Sequence, residues 1–99
     1  MTGSPLEAST TGSVMVRYWA AARAAAGVAT DTVEVAAGTT LADVLAAVVA
    51  RHPDRPRLAE AVRICSVLVG DRPVGATDPN DVGIVAGDSV ELLPPFAGG

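Results

Sequence analysis

Lysine is absent from this chain; all seven basic side chains are arginine. Cysteine and histidine occur once each, as Cys65 and His52. A lone cysteine excludes an internal disulfide and a cysteine-cluster metal site. The two residues stand 13 positions apart and make no local nucleophilic pair. Cys65 lies in an apolar run and reads as an inert buried thiol. His52 directly precedes Pro53 at the end of an apolar-periodic stretch, where it suits a helix C-terminal cap better than catalysis. No stretch approaches the ~20 apolar residues that span a bilayer. A basic start followed by an apolar run, the mark of a secretory signal, is also missing. The expectation is a cytoplasmic protein with no membrane contact. The net charge of −4, with arginines scattered rather than striped, disfavours a nucleic-acid partner.

Ninety-nine residues make one small domain. Residues 1–13 are rich in Ser, Thr and Gly without apolar periodicity, and read as a disordered leader. Residues 14–93 would form the domain and residues 94–99 a flexible tail. Much of the 49% hydrophobic content is alanine, so the core is smaller than that figure suggests. A domain of this size buries only about 60–65% of its unfolded surface, and a partner surface would add to a modest stability.

Val14–Trp19 is a strand by composition. Alternation puts Val14, Val16 and Tyr18 on one face, and Met15, Arg17 and Trp19 on the other. Ala20–Ala26 is a short helical turn that Gly27 ends. Asp31–Val35 is a second strand with Val33 and Val35 facing inward. Thr40 and Asp43 form a capping box ahead of a helix whose stripe is Leu41, Val44, Leu45, Val48 and Val49. Arg57–Arg63 is a short helix and Ile64–Val69 an apolar, central strand. Pro73 confines Arg72–Val74 to an edge. Gly75–Val85 is a connection without evident chemistry, and Ser89–Leu93 is the last strand. One long helix over a mixed sheet makes an α+β roll. The first and last strands are neighbours in it, and the helix covers Val14, Val16, Tyr18, Val90 and Leu92. Met15, Trp19 and Leu93 then share the uncovered face. That is apolar enough to point to a docking surface, although small proteins also expose scattered apolar residues.

The final residues, Leu92-Leu93-Pro94-Pro95-Phe96-Ala97-Gly98-Gly99, carry an apolar strand through a stiff Pro-Pro into a diglycine. Fully extended, residues 94–99 reach about 20 Å. Without β-carbons, Gly98 and Gly99 can thread a slot closed to larger residues. Small residues at a chain end also fray without purpose, but the placement directly after a strand and Pro-Pro favours a carboxylate that another protein reaches and modifies.

The chain resembles the ubiquitin-like β-grasp sulfur carriers of the MoaD/ThiS family, and within it the small subunits of molybdopterin synthase. The likeness spans Val14–Gly99. It rests on Val16-Arg17-Tyr18-Trp19-Ala20, Gly38-Thr39-Thr40-Leu41, Ala86-Gly87-Asp88-Ser89-Val90, and above all Pro94-Pro95-Phe96-Ala97-Gly98-Gly99. The resemblance implies a β-grasp roll with one main helix on one face of a mixed sheet. It implies that an E1-like (MoeB-like) adenylyltransferase spends ATP to activate Gly99, and that a sulfur donor converts it to a thiocarboxylate. A MoaE-like large subunit, which holds the catalytic groups, would then use that sulfur on cyclic pyranopterin monophosphate. Gly99 carries the reactive atom in this scheme. Pro94, Pro95, Phe96, Ala97 and Gly98 are read by the partner, and Met15, Trp19, Arg23 and Leu93 form the interface. No metal ligand and no bound cofactor are expected on the carrier itself. The missing lysines fit an arginine-favouring genome first, and also a carrier whose activated carboxylate must not meet internal amines. Three other readings share the same residues: a carrier for cysteine, thiamin or tRNA thiolation; a ubiquitin-like modifier joined through Gly99 to target lysines; and a β-grasp interaction module with an inert tail.

Overall fold

The computed structural model describes residues 11–95. Its elements follow the order β1 (Thr11–Tyr18), α1 (Ala20–Ala26), β2 (Thr30–Ala36), α2 (Leu41–Arg51), α3 (Arg57–Ile64), β3 (Ser66–Val69), β4 (Arg72–Pro73), a 3-10 turn (Pro79–Asp81) and β5 (Ser89–Leu93). The strands form one sheet in the order β2-β1-β5-β3-β4. β1 and β5 run parallel, with Val16 opposite Val90 and Tyr18 opposite Leu92. The remaining pairs are antiparallel. This is the β-grasp roll.

Period-two alternation decides which side of the sheet is covered. Val14, Val16, Tyr18, Val90 and Leu92 are all buried beneath the helices, with Val33, Val35 and Val69 beside them. α2 meets them with Leu41, Val44 and Val48, all fully buried, while Leu45 and Val49 flank that stripe and are partly covered. The helix starts as its sequence dictates. Asp43 N–H donates to Thr40 Oγ1 (3.2 Å), and Thr40 N–H donates to Asp43 Oδ2 (3.0 Å). Such a cap stabilises a helix by about 1 kcal/mol. At the other end His52 is the C-cap, and its N–H reaches Val49 O.

Several assignments differ from the sequence reading. Thr11, Gly12 and Ser13, assigned above to the leader, belong to β1 and pair with Ala36, Val35 and Glu34. Their polarity hides a strand that is specified by its partner rather than by burial. Gly12 lies close against Ala86 Cβ, leaving no room for a side chain. Residues 1–10 lie outside the described residues. Ile64 ends α3 instead of opening β3, and is 60% exposed. Ala20–Ala26 is a complete helix rather than a turn, closed by Gly27 in the left-handed conformation (φ 79°). It packs against α3, so Ala22, Ala26 and the fully buried Leu58 extend the core beyond the single-helix plan. Finally, the 75–88 connection is structural. Ile84 is buried, Leu41 N–H donates to Val82 O (2.8 Å) and Ile84 N–H to Thr39 O (2.9 Å), which pins the start of α2.

Candidate functional site

β5 lies in the middle of the sheet, so the tail leaves from between two neighbouring strands rather than from a loose edge. Register fixes what surrounds its root on the uncovered face. Arg17 stands beside Glu91, and Glu91 beside Leu68 on β3. Trp19 continues β1 past its last ladder pair, its backbone N–H donating to Leu92 O (3.0 Å). Its indole Nε1–H donates to Glu91 Oε1 (3.0 Å), which lays the ring across β5. Trp19 is 39% exposed and Met15 44%, and Leu93 is half-buried. Met15, Trp19 and Leu93 are therefore brought to one face, as alternation requires.

The sequence reading missed Leu68. It is half-buried and diagonal to Leu93 across the β3–β5 ladder. No polar alternation in the Ile64–Val69 run marked which of its residues face out. The face thus presents four apolar side chains around the opposite charges of Arg17 and Glu91. Exposed apolar side chains beside an indole held by a hydrogen bond suit contact with a protein partner. Arg23 borders this face without joining it. It sits one helical turn after Trp19, exposed, beside a shallow hollow formed with Ala20, Gly27 and Val28. Pro94 and Pro95 follow Leu93 and are exposed. Phe96, Ala97, Gly98 and Gly99 lie outside the described residues.

The backbone is strained where the chain leaves this face. Ala20 has φ +50°, a conformation costly for any residue with a β-carbon. The turn is what carries Trp19 along the sheet while the following residues enter α1.

A polar network lies on the covered side. Tyr18 Oη–H donates to Asp31 Oδ2 (2.7 Å), and His52 Nε2–H donates to the same oxygen (2.6 Å). Arg51 bonds the Thr32 carbonyl and approaches Asp31 Oδ1 (3.7 Å). Burial pushes the Asp31 carboxyl up, but hydrogen bonds from His52 and Tyr18 and the charges of His52 and Arg51 outweigh it, holding the group below its usual value. Burial, followed by the bond to Asp31, drives Tyr18 well above the ordinary phenol value. The network fastens the end of α2 to β1 and β2. Its members lie 13 and 21 positions from Asp31, so no local pattern could reveal it. Cys65 is half-buried, and burial raises its thiol pKa, which keeps it protonated and unreactive.

Among the described residues, no group of three or more His, Cys, Asp or Glu side chains is placed to hold a metal ion. No described helix is long and apolar enough to cross a membrane.

Comparison with known proteins follows the same lines. The molybdopterin synthase sulfur carrier subunit of Chlamydomonas reinhardtii is 31% identical over 86 residues, 87% of this chain and 98% of that protein. The crystal structure of small archaeal modifier protein 1 from Haloferax volcanii superposes with a TM-score of 0.66 at 28% identity, covering 89% of this chain and all of that one. A Helicobacter pylori protein, solved as a complex of subunits 1 and 2 of molybdopterin-converting factor, shares the fold at a TM-score of 0.51 and 22% identity over 88% of this chain and 99% of that one. The ThiS family model matches residues 16–99, from the middle of β1 through the diglycine, and the chain belongs to that family.

Proposed function

We propose that the chain is a sulfur carrier that serves as the small subunit of a molybdopterin synthase. The observation that carries the reading is the apolar face of Met15, Trp19, Leu68 and Leu93 at the root of a Pro-Pro tail that runs into Gly98-Gly99. The family model extends to Gly99, and the Chlamydomonas relative supports the pathway by its own role.

In this scheme the Gly99 carboxylate attacks the α-phosphorus of ATP on an E1-like adenylyltransferase, and pyrophosphate leaves. The terminal sulfur of a persulfide donor attacks the resulting acyl adenylate, and AMP leaves. A thiol reduces the acyl disulfide and frees a thiocarboxylate. Sulfur polarises easily and the group is anionic at neutral pH, so it is a competent nucleophile toward cyclic pyranopterin monophosphate. The carrier supplies no acid, base or metal. Gly98 and Gly99 supply bare backbone for a narrow channel. Pro94 and Pro95 limit the conformations lost on insertion. Phe96 anchors the channel mouth, and the open face, bordered by Arg23, docks on the MoaE-like large subunit.

The test is the mass of the C-terminal tryptic peptide, Ile64–Gly99, after production with the native activating enzyme. Trypsin cuts after Arg63 and skips Arg72 before Pro73, and with Cys65 blocked the mass distinguishes sulfur-for-oxygen exchange from oxidation. The expected result is a thiocarboxylate at Gly99. An unmodified carboxylate beside a demonstrably active enzyme overturns the reading. Appending one residue to Gly99 should abolish sulfur delivery and leave the thermal midpoint unchanged.

A second reading has specific support in the likeness to small archaeal modifier protein 1. In that reading the Gly99 adenylate of this chain is captured by target lysines. High-mass adducts in host lysate that survive reducing denaturant favour this outcome.

A further inference from the structure

The covered side of the sheet is not fully closed. An apolar groove of about 1170 Å³ runs between α2, α3, the β3–β4 hairpin and residues 75–80. Leu45, Val49, Val67 and Val74 line it and are only partly buried. It lies on the opposite side of the sheet from Trp19 and Leu93, so the docking face does not account for it. Among the described residues that line it, Arg63 bears the one charged side chain, and no acid is present.

Pro95 also lines this groove. The next residue in the sequence is Phe96, an aromatic that follows directly on a groove-lining position. The four residues beyond Pro95 span at most about 14 Å. Gly98 and Gly99 can turn back without steric penalty. Arg63 lines the same groove as Pro95 and is its one positive charge, the group that would pair with a carboxylate brought into it. The other end of the chain is less well placed. Thr11 pairs with Ala36 on β2, at the sheet edge farthest from β4.

We propose that Phe96–Gly99 docks in this groove of its own domain, with the Phe96 ring among Leu45, Val67 and Val74 and the Gly99 carboxylate against Arg63. The reactive end is then sheltered until the activating enzyme draws it out. The fraction of chains with the tail released sets the apparent affinity for that enzyme. The Arg63 contact rests on Gly99 being the free carboxylate of the proposed function; the Phe96 contact does not.

The experiment is nuclear Overhauser spectroscopy on the full chain, isotopically labelled and dilute. Contacts are expected between the Phe96 ring protons and the methyls of Leu45, Val67 and Val74. Arg63→Ala should speed removal of Gly99 by a carboxypeptidase roughly two- to five-fold, with Arg63→Lys close to the parent. Three results overturn the docking. One is a chain stopped at Pro95 that leaves every groove methyl shift unchanged. Another is a set of Phe96 contacts that fade on dilution, which assigns the groove to a second copy. Contacts from Leu6 in place of Phe96 give the groove to residues 1–10 and overturn it as well. A chain that gains sulfur but lacks the Phe96 contact defeats this inference alone. A chain that shows the contact but never gains sulfur defeats only the proposed function.

Discussion

The two faces of one sheet are built from alternate residues of the same strands, yet they answer to different demands. On the covered face Val16, Val90 and Leu92 are completely buried, and each is replaceable only by something of like size and polarity. On the open face Met15, Trp19, Leu68 and Leu93 remain partly in water, so less burial energy rests on them. Burial is concentrated on one side, and the other is the side proposed for recognition. The tail leaves β5, the strand that contributes to both.

This division can be broken from either side. The largest expected effect is Leu92→Ala. Truncating a fully buried leucine next to Tyr18 and Val67 should cost about 3 kcal/mol and lower the thermal midpoint by roughly 15 °C. Calorimetry at matched pH measures it. If the loss is below about 1 kcal/mol, the covered face is not the stabilising one.

Trp19→Asp tests the opposite side. Stability should move by less than about 1 kcal/mol, while affinity for the large subunit falls by about 2 kcal/mol, roughly thirty-fold. Titration calorimetry against that subunit provides the number. Equal affinity would show that the open face is not the interface.

Asp31→Asn probes the rim where the covered face meets the end of α2. Asp31's carboxyl lies below its usual value in the folded chain, so its contribution is fully present above the unfolded value of about 4. It is lost as the pH falls through the depressed folded value. The variant should therefore lose about 1–2 kcal/mol at pH 7, and the gap to the parent should close in acid. Urea unfolding at pH 7 and pH 3 compares the two. A gap independent of pH would assign the loss to packing rather than to the carboxylate.

The smallest effect is expected at the corner between the faces. Ala20→Gly relieves the positive φ, and the gain exceeds the entropy that glycine adds to the unfolded chain by about 0.5 kcal/mol. Unfolding curves of the two proteins should part in that direction.

The sequence was most readable where a pattern is local. The Thr40–Asp43 box, the α2 stripe and the alternation in β1 and β5 each declare themselves within a dozen residues. What escaped depends on residues distant in the chain. Thr11–Ser13 become a strand because β2 offers partners for their backbone, not because their side chains ask for burial. Leu68 faces out because the register with β5 puts it beside Glu91, and a wholly apolar run cannot announce its own register. The Tyr18–Asp31–His52 network needed three elements assembled before its geometry existed. The tail residues Phe96–Gly99 remain legible by chemistry alone.

The central position of β5 has a mechanical consequence. A partner that pulls on the tail pulls along β5, which is laced to β1 on one side and β3 on the other. Force along the strand loads both ladders in shear, so many hydrogen bonds must yield together rather than one after another. The tether is thus strongest in the direction in which the proposed insertion would load it. A diglycine end drawn into a partner's channel and withdrawn again would leave the domain that carries it intact.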